Sequence, residues 1–329
     1  MPTIYAAMRD RLLVVTGTPG DWQVGTRLTD RDLECVAVSP DRPDRVLVGT
    51  FDAGLHRSDD GGETFERTDD WMETSVTALA VSPHDPDVWW AGTEPSRVYR
   101  SGDGGRSWAE RPGLTALESA DEWSFPPRPH THHARWIEPD PNDPDRLYVG
   151  IEAGALVRTD DGGETWQDRP EDARRDNHSL ATHSDRPDAV WAAAGDGYAE
   201  SEDGGDTWRF PQSGLDHRYC WSVAVDPGDP DTVVMSAASG PGSAHSAPGE
   251  SYVYRREGDE AWSRVEDDGL PTGEGVLRAV LATDGPAEFY AVNDRGLFRS
   301  SDGGESWVPL DVEWPDDLAG KTARGLAVV

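Results

Sequence analysis

The sequence predicts an all-β chain folded as one seven-bladed β-propeller with four-stranded blades, and three observations carry that prediction. The octapeptide Ser/Thr-x-Asp-Gly-Gly-x-Thr/Ser-aromatic occurs five times in 329 residues. A second phrase, built on Pro and Asp, alternates with it and falls each time between two apolar runs. The final stretch, Ala323-Arg324-Gly325-Leu326-Ala327-Val328-Val329, matches a strand that the first unit lacks. A repeat of this period belongs to propellers and solenoids, whose units bury their apolar faces only against one another.

The octapeptides start at Ser58, Ser101, Thr159, Ser201 and Ser300. Their paired glycines supply the positive φ of a tight hairpin, and the preceding Asp can accept hydrogen bonds from the turn's own amides. The closing aromatic begins the outgoing strand and is large enough to wedge between sheets. Asp60, Asp103, Asp161, Asp203 and Asp302 therefore read as structural residues, with calcium binding as the alternative; their spacing does not fit an EF-hand loop.

Taken in order, the chain begins with Ile4-Tyr5-Ala6-Ala7 as a second strand and continues through a worn hairpin, Pro19-Gly20-Asp21-Trp22. Turn phrases follow at Pro40-Asp41-Arg42-Pro43-Asp44, Pro83 to Asp87, Pro141 to Asp145, Asp185 to Asp188 and Pro227 to Asp231, with Asp284-Gly285-Pro286 a worn copy. The flanking runs, such as Val76 to Val81 and Val88 to Ala91, are strand-like. Each unit is then strand a, Pro-Asp turn, strands b and c, the glycine hairpin and strand d. A second worn hairpin ends at Trp262, giving seven hairpin aromatics: Trp22, Phe65, Trp108, Trp166, Trp208, Trp262 and Trp307. With Ala323 to Val329 as the missing first strand, the two ends of the chain close the same blade and leave no long sheet edge.

These hairpins resemble the Asp-box (BNR) repeat of sialidase-like propellers, sortilin-type receptors, xyloglucanases and a photosystem assembly factor. The resemblance implies hairpins on the face away from the ligand. Xyloglucanases place their cleft between two propellers, and this sequence supplies one; the photosystem factor matches in blade count and length. The glycosidase relatives imply two carboxylates flanking a sugar, for which Glu94 and Glu152 on adjacent blades are the candidates.

The net charge is −33, spread along the chain, and Lys321 is the one lysine among 30 basic residues. Such self-repulsion is tolerable at molar salt, where the Debye length falls to ~3 Å. The composition resembles cytosolic proteins of extreme halophiles; an acidic partner-binding surface is the alternative. The sign of the field argues against nucleic acid and anionic membranes as partners. No apolar run reaches 18 residues and the N-terminus lacks a signal pattern, so the expectation is a soluble cytoplasmic protein. Cys35 and Cys220 fall on equivalent strands of distant blades and read as free thiols.

Insertions break the repeat at Pro112 to Thr131, Ala238 to Glu250 and Leu310 to Gly320, all expected on the face opposite the hairpins, where function is more often carried. Alignment of the a strands yields a column of Arg324, Glu34, Thr77, Arg135, His178, Trp221 and Leu277, where Val or Ala is ordinary for the repeat. Beside it lie His132, His133, Arg218 and Tyr219, with Glu94 and Glu152 at strand ends. We therefore expect a polar central mouth. Glu152, His178 and Glu94 are its acid–base candidates, and Arg135, Arg218, Tyr219, Trp221, Arg324 and Glu34 its ligand-binding candidates. His132, His133 and His178 are candidate ligands of a divalent metal cofactor. A lattice of ion pairs that closes the channel is the competing reading. The expected function is binding of a small polar molecule, anionic or carbohydrate-like, with a hydrolase or lyase activity open; the alternative is a non-catalytic scaffold that docks a protein partner.

Overall fold

Short apolar runs, broken by Gly and Pro-Asp turns, send the chain into short antiparallel sheets, many of whose strands are buried on both faces. In the computed structural model, which describes residues 2–18, 20–68, 75–266 and 269–329, these form seven sheets in a ring, a β-propeller with almost no helix. Blade 1 is ordered Ala323–Val328, Thr3–Met8, Arg11–Thr18, Asp21–Arg27. Ile4 pairs with Val328 and Ala7 with Gly325, so the chain ends do share a blade. Pro19 of its hairpin lies outside the described residues.

The other inner strands are Leu33–Ser39, Ser75–Val81, Ala134–Pro139, Asn177–Thr182, Tyr219–Asp226 and Val280–Thr283, each followed outward by its b and c strands. In blades 4 and 5 the fourth strand shrinks to single bridges, Arg158 to Gln167 and Glu200 to Arg209. In blades 2 and 6 pairing starts inside the Pro-Asp turn, at Ser39–Arg42 and Asp226–Asp229.

Apolar clusters between neighbouring blades hold the ring together. Trp208 of blade 5 packs with Tyr148 and Leu156 of blade 4, and Trp307 of blade 7 with Val234 and Val253 of blade 6. The hairpins that launch these aromatics are tied internally. Asp60 Oδ1 accepts from the Thr64 amide at 2.9 Å and from Ser58 Oγ at 2.7 Å, and its Oδ2 accepts from Thr64 Oγ1 at 2.6 Å. Gly61 and Gly62 sit at φ 71° and 84°, and a Cβ on Gly62 would come within 2.9 Å of the Tyr5 ring. The same bonds recur at Asp103, Asp161, Asp203 and Asp302. Hydrogen bonds from Thr64 hold the Asp60 carboxyl down at about 2. Cys35 and Cys220 are both free, and burial pushes each thiol up to about 12.

Candidate functional site

Six inner strands break register at one level. The residue left without a cross-strand partner is Arg324, Glu34, Thr77, Arg135, His178 or Trp221 in turn. A bulge re-aims its side chain out of the sheet's alternation. Five of the six line a central cavity of about 490 Å³, the exception being the wholly buried His178. The cavity is roofed by Phe125, Pro126, Pro127 and Arg128 from one insertion and by Pro241 and His245 from another.

Two insertions are anchored by their own chemistry. Trp123 is buried among blade 3 and 4 residues, and its indole nitrogen donates to Ser119 Oγ at 3.0 Å. Arg128 grips Glu94 in a bidentate ion pair, one arm at 2.7 Å. His245 ends a short helix, Pro241–His245, and meets Tyr219 Oη at 2.9 Å.

Below this roof the polar groups interlock. His133 Nε2 donates to Glu152 Oε2 at 2.9 Å, while its Nδ1 faces Glu94 Oε2 at 3.6 Å. Arg135 Nε stands 3.8 Å from the same Glu152 oxygen. Burial alone would raise the Glu152 carboxyl, but the His133 hydrogen bond and the nearby Arg135 guanidinium hold it far below the carboxylate range. Glu152 is therefore an anion, suited to act as a ligand or to stabilise positive charge and unsuited to take or donate a proton. Glu34 is shared by Arg324 at 3.5 Å and Arg135 at 3.8 Å.

Arg278 lies against Trp221, outside the cavity lining. It is fully buried, with its guanidinium carbon 3.7 Å from the centroid of Trp221, and none of its three side-chain nitrogens has a hydrogen-bond partner among the described residues. Burial and the positive charges of Arg324 and Arg135 push its pKa well below the arginine range. Burial and the charge of Arg278 also lower His245 to about 2, so that imidazole is neutral.

Several sequence expectations need correction. The side chain that blade 7 sends toward the channel is Arg278, one residue beyond Leu277, because blade 7 starts its inner pairing late, at Val280 with Val292. Arg218 precedes the strand Tyr219–Asp226, is exposed and is absent from the cavity lining. Glu94 and Glu152 face each other across the His133 ring, which leaves no space for a sugar between them. His132 packs edge-on against Trp123 at 5.5 Å, and His133 spends Nε2 on Glu152, so neither joins His178 as a metal-ligand set. The group the fold does gather around His178 is Glu152 and Asp176. Asp176 was not singled out from the sequence, since it lies one residue outside the strand that carries His178.

Fold and site together define a seven-bladed β-propeller with a polar, loop-roofed central cavity. No family model matches the chain. It is 31% identical over 157 residues to an oligoxyloglucan-reducing end-specific xyloglucanase of Emericella nidulans, a match covering 42% of this chain and 18% of that protein. Among solved structures it resembles the Niastella koreensis GH74 enzyme, with a TM-score of 0.68 at 16% identity over 92% of this chain and 54% of the other. It also resembles YCF48 bound to D1 peptide, with a TM-score of 0.60 at 19% identity over 90% of this chain and 92% of the other. This chain thus spans about half the length of the GH74 structure and a smaller share of the curated relative.

Proposed function

We propose that this propeller binds a small polar, anionic or carbohydrate-like molecule in its central cavity. One observation carries the reading: Arg135 and Arg324 line the cavity with only long contacts to carboxylates, and near them Arg278 holds a buried guanidinium with no acceptor among the described residues. A buried cation of that kind costs stability unless something pairs with it, and a bidentate oxyanion is the natural counterpart. Trp221 and Phe125 offer apolar faces beside the arginines, as a sugar ring requires. The xyloglucanase relative and the GH74 neighbour support a carbohydrate ligand. A hydrolytic or lyase activity at this cavity remains part of the reading, with the anionic Glu152 as a charge stabiliser.

The test is a thermal shift in molar KCl with neutral sugars, sugar acids and xyloglucan oligosaccharides. A saturable rise with at least one class, lost in Arg278→Gln, is the expected result. No rise with any of them defeats the reading. A protein-docking scaffold is the second reading, favoured by the coverage of 92% of the YCF48 chain, whose structure carries a bound peptide. Co-purification of a stoichiometric protein, with no small-molecule shift, would support it. The wider reading we adopt is that the octapeptides are Asp-boxes and that the acidic surface suits a high-salt cytosol. Unfolding midpoints that do not rise with KCl would defeat the latter.

A further inference from the structure

At the wall of the same cavity, which Glu152 and Asp176 line, the buried His178 converges with them from two adjacent blades. One donor atom of each lies within 4.8 Å of the others. His178 Nδ1 is 2.6 Å from the Cys220 carbonyl oxygen, which fixes a proton on Nδ1 and turns Nε2 toward the carboxylates. Nε2 then stands 3.7 Å from Asp176 Oδ1 and 3.9 Å from Glu152 Oε1, with Tyr219 Oη at 3.4 Å. These gaps are too long for hydrogen bonds with the carboxylates, and they suit donors that share a central ion.

The neighbours hold each donor in place from behind. Glu152 divides its oxygens, Oε2 accepting from His133 and Oε1 facing His178. Asp176 Oδ1 accepts from the Ala153 amide at 2.8 Å. The His178 ring is closed in by Trp221 at 4.4 Å, and its side chain has no exposure. An imidazole fixed by a carbonyl and a carboxylate fixed at its far oxygen are the outer contacts that metal ligands ordinarily have.

We infer that Glu152, Asp176 and His178 form a site for one divalent transition-metal ion, of the Mn²⁺ or Zn²⁺ class. One neutral imidazole and two carboxylates suit those ions better than the harder Mg²⁺ or Ca²⁺. Three protein ligands leave further positions directed at the cavity, which Glu152 and Asp176 line. The ion would neutralise these two carboxylates and leave Arg135 and Arg324 sharing Glu34. The inference deepens the proposed ligand site without depending on the ligand, because metal binding is read by itself.

The experiment treats the intact protein with chelator, returns it to molar KCl and titrates Mn²⁺, following loss of the free-ion paramagnetic resonance signal; Zn²⁺ is followed by calorimetry. One equivalent is expected. Asp176→Asn and His178→Gln, each checked for an unchanged circular dichroism spectrum, should weaken binding at least tenfold. Arg278→Gln should keep the metal while losing the anionic ligand, so the two readings fail separately. Absence of a stoichiometric equivalent for either ion overturns the site. So does binding that persists equally in both variants, which would place the ions on the acidic surface.

Discussion

Replacing Arg278 by Met should make the ligand-free protein more stable and unable to bind the proposed anion. The guanidinium is fully buried with no acceptor among the described residues, and its main favourable contact is the Trp221 face. Keeping an unpaired ion out of water costs several kcal/mol even after relaxation, against ~2 kcal/mol recovered from a desolvated cation–π contact. Met keeps most of the apolar stem in place, so little packing is lost. The balance favours the variant by about 1–3 kcal/mol, or about 1.5–4.5 °C in a chain of this size. Paired thermal and urea melts in molar KCl, without ligand, measure it. A variant that loses more than about 1 kcal/mol would show that Arg278 is paired within the fold, and the case for a missing oxyanion would fall with it.

Further outcomes follow from the same physical arguments. Burial raises the Glu138 carboxyl from 4.5 to about 7, against hydrogen bonds from Trp136 and Thr182 that lower it. Its contribution to stability is therefore full below pH 4.5 and is lost as pH rises through 7. The loss is at most about 3 kcal/mol, reduced because Glu138 keeps some exposure, and urea midpoints of Glu138→Gln should lack this part of the pH slope. Asp103→Ala removes the acceptor for the Arg106 and Ser107 amides and both neighbouring hydroxyls, and should cost about 2 kcal/mol by urea denaturation. Deleting residues 323–329 bares the pairing edge of Thr3–Met8. The truncated chain should associate on a sizing column or lose its cooperative melt, and a monomer that melts within ~2 °C of the intact chain would contradict that.

The sequence disclosed the ring because its signals are local. Glycine pairs that need positive φ, and aromatics that close each hairpin, recur wherever a blade recurs. The cavity was legible where a residue belonged to the repeat, as at Glu34, Arg135 and Arg324, since an odd charge stands out in a column of Val and Ala. It was obscured where pairing departs from the average blade. Blade 7 takes up its register late, so the column fell on Leu277 while the lone arginine in Val276-Leu277-Arg278-Ala279-Val280 was the signal to follow. Arg218 was misplaced because it stands before the inner strand begins and stays exposed. The partnership of Glu152, Asp176 and His178 depends on the angle between neighbouring blades, which no spacing along one blade encodes.

The unpaired position on the inner strands has an evolutionary consequence. Elsewhere on those strands an exchanged residue disturbs a cross-strand neighbour; here Thr77, Arg135 and Trp221 differ in size and charge at one level of the ring, with no ladder partner to answer to. A lineage could rewrite the chemistry of the pore substitution by substitution while its architecture stayed constant. Propellers of one outline can in this way come to serve unrelated molecules.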